Sequence, residues 1–140
     1  MGDLIEFLNA RLADDEAVAR GAMWDDGLSA TWTASPPRKS YEQYTVVDYL
    51  GDGVVVVTPE NADDDGVGQH VARHDPARAL REVEVKRGAV EEYEAVVESL
   101  NDYDAEDGSG RAMVSSLRGI LTAMTAVYSD HPDYRQEWRP

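Results

Sequence analysis

HVARHDPARALREVEVKRGAVEEYEAVVESL, residues 70–100, carries the longest helical pattern of the chain. Asp75 and Pro76 predict a helix start, because an Asp at the N-cap accepts a backbone N–H and Pro at the first helical position loses no helical hydrogen bond. The next Gly or Pro is Gly88, which marks either a close helix contact or a tolerated surface position. The spacing predicts a narrow apolar stripe that packs on another helix. Its members recur at heptad positions: Val83, Val90 and Val97, with Ala79, Tyr93 and Leu100.

The charges of this helix are unevenly distributed. The first half is basic and the second half is acidic: Arg73, Arg78, Arg81, Lys86 and Arg87, then Glu91, Glu92, Glu94 and Glu98. A helix dipole favours the opposite order, although an exposed mismatch costs only about 0.5 kcal/mol. Two interpretations stay open: the ends contact different partners, or the charges form a solvated face with internal pairs such as Glu82 with Lys86.

Three β-strands are predicted upstream of this helix. Residues 44–50 and 54–58 are rich in β-branched and aromatic side chains, and the Gly-Asp-Gly sequence at 51–53 is typical of a hairpin loop between them. Residues 30–34 alternate in polarity and predict a third strand, which completes an antiparallel meander. The acidic residues 61–68 lack the ligand register of a calcium loop, so we interpret them as a solvated loop.

Two further helices are predicted, over residues 3–21 and 111–128. The second is expected to pack antiparallel on the central helix through an acidic linker, 101–110, and a tail follows at 129–140. Trp24 and Trp32 are interpreted as core residues rather than a stacking platform for a ligand. The apolar positions of the two helices are Leu4, Phe7, Leu8, Leu12 and Val18, and then Met113, Leu117, Ile120, Met124 and Val127.

These elements predict an α+β fold in a single domain, residues 1–140. It would contain an N-terminal helix, a three-stranded antiparallel sheet and a C-terminal helical hairpin; the alternative is a helical bundle with a β-hairpin insert. The strong helical stripes also make a homodimer an expectation.

The chain is strongly acidic, with 13 Lys and Arg against 28 Asp and Glu and a formal net charge of −15. Such a field repels nucleic acid and anionic lipid and favours basic partners or divalent cations. It could also mimic nucleic acid, or serve only solubility. The chain has no cysteine and no apolar run long enough for a membrane span. These features favour a cytoplasmic protein.

No complete catalytic motif is present, and we expect no cofactor. The best candidates for a divalent metal site are His70 and His74, which share one helical face, with His131 and Asp133 as further ligands. The zincin pattern is incomplete, because no Glu lies between the first two histidines. Nucleophile-elbow and phosphate-loop patterns are missing from the sequence. Asp75, Pro76, Tyr134 and Trp138 are candidates for structural or partner-contact roles.

Three segments resemble a family of small uncharacterised proteins from actinobacteria and their phages, classed as a domain of unknown function. They are IEFLNARL at 5–12, HVARHDPAR at 70–78 and SDHPDYRQEWRP at 129–140. The resemblance implies a cytosolic bacterial or phage origin and implies no activity.

Three functional hypotheses follow from these observations. The first is a non-enzymatic binding or regulatory protein that acts through protein–protein contacts, on its acidic surface or its helical hairpin. The second is a metal-binding protein or metal-dependent enzyme that uses the three histidines. The third is a nucleic-acid mimic that inhibits a DNA-binding partner.

Overall fold

A computed structural model describes residues 2–25, 27–58, 60, 62–102 and 108–140. The chain divides into two compact units, one of residues 1–14 with 83–140 and one of residues 15–82. Helix α1 (Gly2–Gly21) and helix α3 (Pro76–Asp102) each contribute residues to both units. The expected fold class is confirmed: an N-terminal helix, a three-stranded antiparallel sheet and then further helices.

The sheet of the 15–82 unit is the expected meander. Its strands are β1 (Thr33–Ser35), β2 (Thr45–Val47) and β3 (Gly53–Val56), in the order β1-β2-β3 with both pairs antiparallel. The predicted start of β1 and the predicted end of β2 were wrong. Leu28–Ala30 forms a 3-10 turn, and the chain leaves β2 after three residues.

The hairpin loop explains the early end of β2. Asp48 is buried, and its Oδ1 accepts the backbone N–H groups of Leu50 (3.0 Å) and Asp52 (2.9 Å). Gly51 has φ 84°, a conformation that glycine adopts without steric cost. A short acidic side chain that binds the backbone ahead of it forms such a turn by itself, so residues 48–52 form the loop and Gly53 belongs to β3.

Helix α2 (Asp64–Arg73) covers one face of the sheet, and its position corrects the predicted loop at 61–68. Asp63 is the N-cap, and its carboxylate accepts the N–H of Gly66 (3.0 Å). Acidic residues in a first turn are favourable to the helix dipole, so the Asp run begins a helix rather than breaking one. The buried cluster between α2 and the sheet contains Tyr44, Val46, Val57 and Ala72, with Trp32, Ala34, Val67 and Val71 at its edge.

Tyr44 fixes α2 on the sheet through both its ring and its hydroxyl. The hydroxyl donates to Asp65 (2.6 Å), and this hydrogen bond, with burial, raises the pKa of Tyr44 to about 12. The ring lies against Gly68, where any Cβ would overlap it. A glycine is therefore required at this position of α2 for close packing.

The predicted start of α3 is confirmed, and it separates α3 from α2. Asp75 is buried at the N-cap, where Oδ1 accepts the N–H of Arg78 (2.8 Å). Its Oδ2 accepts the backbone N–H of Trp32 (3.1 Å), just before β1. Pro76 is the first helical residue. Thus one carboxylate both caps a helix and holds the segment that leads into the sheet.

The unit of residues 1–14 and 83–140 contains the larger core. Helix α4 (Gly108–Thr125) continues into a 3-10 turn at Ala126–Tyr128. Leu100 of α3 packs directly on Gly110 of α4. The core is formed by both ends of the chain and by the predicted α3 stripe: Leu4, Ile5, Phe7, Leu8, Leu12, Val83, Val90, Tyr93, Leu121, Tyr134 and Trp138.

Several helical predictions were wrong. Val18 is 75% exposed, and Trp24 is 55% exposed rather than in the core. Glu82 forms an ion pair with Arg78 (2.8 Å). The predicted linker 101–110 is shorter, because α3 extends to Asp102 and α4 begins at Gly108. Residues 103–107 lie outside the described residues.

The apolar stripe of α4 is also rotated from its predicted position. Leu121 is fully buried, and Val114, Leu117, Met124 and Tyr128 are packed beside it. The predicted seam residues that remain exposed are Met113 (55%), Ile120 (50%) and Val127 (64%).

Two glycine substitutions should change stability in opposite directions. Gly88→Ala should raise the free energy of unfolding by about 0.5–1 kcal/mol, because a Cβ there meets nothing and Ala favours the helix. Gly68→Ala should lower it by about 1–3 kcal/mol, because the Tyr44 ring must move. Urea denaturation measures both. Equal effects of the two variants would contradict the close packing of Tyr44 on α2.

Removal of the Asp75 carboxylate should destabilise the protein more than loss of an ordinary helix cap. Asp75→Ala should lower the free energy of unfolding by about 2–4 kcal/mol, of which about 1 is the cap and about 1–3 the unsatisfied Trp32 N–H. Asp75→Asn, which keeps one acceptor oxygen, should lower the free energy of unfolding by less than Asp75→Ala. Asp63→Ala, which removes an exposed cap of α2, is the matched control in the same denaturation measurement.

Candidate functional site

The C-terminal tail is packed against the first half of α1 around Phe7. Phe7 contacts four aromatic rings, with centroid distances of 5.1 Å to Trp138, 5.5 Å to His131, 6.0 Å to Tyr134 and 6.4 Å to Tyr128. Edge-to-face geometry of this kind contributes beyond simple burial. The tail residues named as candidate contact residues, Tyr134 and Trp138, are therefore core residues of this unit.

His131 has its Nδ1 atom engaged within the tail. Nδ1 accepts the backbone N–H of Asp133 (3.1 Å), and the Arg11 guanidinium lies 3.2 Å from the same atom. The Asp133 carboxylate is 3.9 Å away. Since one ring nitrogen already serves as an acceptor, only Nε2 is left for any other ligand.

His70 and His74 lie together at the end of α2, as their spacing indicates. Their ring centroids are 4.3 Å apart, and both side chains are exposed. His74 Nδ1 donates to the His70 carbonyl oxygen (2.8 Å), which leaves its Nε2 available. Among the described residues, no group of three or more His, Asp or Glu side chains is placed to hold a metal ion. The metal-site hypothesis stays a prediction.

The exposed side of α4 is the most distinctive surface of its unit. Met113, Ile120 and Val127 form a line at a spacing of seven residues, which we call the apolar edge. Arg111 and Arg118 lie about half a turn away, at 100° per residue. Small exposed residues cover the helix surface between the apolar edge and the two arginines: Ala112, Ser115, Ser116, Gly119 and Ala123.

The charge of α4 also differs from the charge of the whole chain. Residues 108–129 contain two Arg and no Asp or Glu, whereas the chain has a formal net charge of −15. This difference was visible in the sequence, but the predicted seam assigned the apolar edge to the core. The structure leaves the apolar edge and both arginines exposed to solvent.

The described part of the chain contains no helix that is long and apolar enough to cross a membrane. The fold and this surface define a small acidic α+β protein with an exposed amphipathic helix face. The family model of DUF6221, a family of unknown function, matches residues 1–140, and the chain belongs to that family. No curated protein and no solved structure matches the chain.

The two tryptophans offer a matched test of the packed tail. Trp138→Ala should lower the free energy of unfolding by about 3 kcal/mol, because it removes a buried ring from the Phe7 cluster. Trp24→Ala, at a half-exposed ring, should change it by less than about 0.5 kcal/mol. Chemical denaturation followed by circular dichroism measures both. If the tail contributed nothing to folding, both substitutions would change the free energy of unfolding by equally small amounts.

Proposed function

We propose that this protein is a non-enzymatic binding protein that docks an acidic amphipathic helix of a partner protein on α4. The observation that carries the proposal is the apolar edge, three large apolar side chains that are half exposed or more at heptad spacing along α4 and the 3-10 turn that continues it. Heptad spacing is the repeat that a second helix can follow along its whole length. Exposed apolar patches of this kind typically mark interaction sites.

The chemistry of the partner follows from the charges at the far border of the exposed face, about half a turn from the apolar edge. Arg111 and Arg118 border the exposed face of α4, and this helix has no acidic residue. A partner helix with glutamates on one flank therefore meets cations here and meets repulsion elsewhere on a chain of net charge −15. The small residues at 112, 116, 119 and 123 allow the partner backbone to approach closely.

The apolar edge supplies enough free energy for a measurable effect of mutation. Complete burial of a large aliphatic side chain contributes about 1.5–3 kcal/mol, so three half-exposed side chains contribute about 3 kcal/mol together. Two polar replacements should therefore weaken binding by about tenfold or more, since about 1.4 kcal/mol corresponds to a factor of ten.

The test uses a synthetic amphipathic helix of about 20 residues, with leucines at heptad positions and glutamates on one flank. Isothermal titration of the full-length protein should show binding that weakens at least tenfold in Met113→Gln/Ile120→Gln. Val85→Gln, at another exposed apolar position, should bind as the wild type does. A peptide with lysine at each glutamate position controls for charge.

Two outcomes would contradict this proposal. The first is that the acidic peptide does not bind, or binds the double variant as tightly as the wild type. The lysine peptide, in contrast, should bind the acidic surface equally well with and without the Ile120 substitution. The second is a dimer of the protein alone in sedimentation that Ile120→Gln dissociates. That result would assign the apolar edge to a second copy of the chain.

A further inference from the structure

A small cleft lies between the N-terminus of α1, the last turns of α4 and the C-terminal tail. Its volume is about 290 Å³, and Asp3, Arg118, Arg135 and Glu137 line it together with apolar and hydroxyl groups. All of these residues belong to the unit of residues 1–14 and 83–140. Most ligand pockets range from about 300 to 1,000 Å³, so this cleft suits a ligand of only a few heavy atoms.

The charges in this cleft are separated into two sides. Arg135 binds the carboxylate of Asp3 at 2.8 Å and lies 3.7 Å from that of Glu137. One cation is therefore shared by two carboxylates, and this side has a net negative charge. On the other side, the guanidinium of Arg118 makes no hydrogen bond or ion pair with any residue that the structure describes.

The guanidinium of Arg118 is therefore available to a ligand that enters the cleft. Its planar donors match a carboxylate in bidentate geometry. The negative side of the cleft suits an ammonium group. A ligand complementary to both sides carries one charge of each sign at a short distance.

The neutral residues of the cleft fit the same ligand. The hydroxyl of Thr122 donates its one hydrogen to the Arg118 carbonyl oxygen (2.8 Å), so towards the cleft its oxygen can only accept, as an ammonium requires. Leu4 and Trp138, both almost fully buried, contribute a small apolar area to the cleft wall. The Trp138 ring is held in place by Arg135, whose guanidinium carbon lies 5.4 Å from its centroid.

We propose that this cleft binds a free α-amino acid with an apolar side chain. Its carboxylate binds Arg118, its ammonium binds the Asp3 and Glu137 side with Thr122, and its side chain packs on Leu4 and Trp138. A zwitterion has no net charge and is not repelled by the acidic chain, whereas a phosphate dianion is. The cleft shares Arg118 with the helix-docking face but contains no residue of the apolar edge, so leucine binding and peptide binding are tested in separate titrations.

The test titrates full-length protein with L-leucine, followed by amide chemical shifts and calorimetry. We expect a dissociation constant on the order of 0.1–1 mM, as few contacts are made. Arg118→Gln should weaken binding at least tenfold. Arg111→Gln is the matched control, since it removes an equal charge from the same helix outside the cleft. Both arginines are exposed, so both variants should fold.

The chemistry of the ligand is tested on the wild-type protein. Leucinamide, which lacks the carboxylate, and N-acetyl-leucine, which lacks the ammonium, should each bind at least tenfold more weakly than leucine. N-acetyl-leucine or acetate that binds as well as leucine would make the cleft a simple anion site and overturn the proposal. Equal loss in Arg111→Gln and Arg118→Gln, or no shift at millimolar leucine, would overturn it as well.

Discussion

The carboxylate of Asp75 determines where the longest helical stretch of the chain is divided. It caps α3 through the N–H of Arg78 and, with its second oxygen, holds the N–H of Trp32. A buried carboxylate is tolerated only when such donors satisfy it. Trp32 lies 43 residues before Asp75 in the sequence, so this one carboxylate couples the cap of α3 to the position of β1 within the 15–82 unit. Pro76 contributes to the same division, because a proline disfavours the helical conformation of the residue before it.

The sequence was sufficient for the elements whose signals are local. The α3 start came from the Asp-Pro pair, and the stripe at Val83 and Val90 came from heptad spacing; both are confirmed. Element ends were less predictable, because side chains decide them through contacts that a pattern does not contain. Asp48 ended β2 by binding the backbone ahead of it. Acidic residues 63–65, interpreted as solvated loop, start α2.

The candidate surfaces were harder to predict than the fold. Heptad spacing showed that α4 has an apolar stripe, but it could not show which of two adjacent lines is buried, since Ile120 and Leu121 differ by only 100° around the helix. The cleft combines Asp3, Arg118 and Arg135, which are far apart in sequence. The sequence could not show that Arg118 has no ion pair among the described residues, because this depends on which side chains surround it in the fold. The chain's one phenylalanine explains why these parts meet, because the tail packs around Phe7.

The short sheet has a consequence for the behaviour of the protein in acid. Strand β3 is at the sheet edge, and Val55 and Val56, two of its three valines, are exposed. Such segments can pair with the same segment of another molecule and start cross-β aggregation. The surplus of carboxylates keeps molecules apart by electrostatic repulsion at neutral pH. Partial protonation of those carboxylates brings the net charge close to zero near the isoelectric point, about pH 4.4, and removes this colloidal protection. The acidity of the chain thus protects its own valine-rich edge at neutral pH.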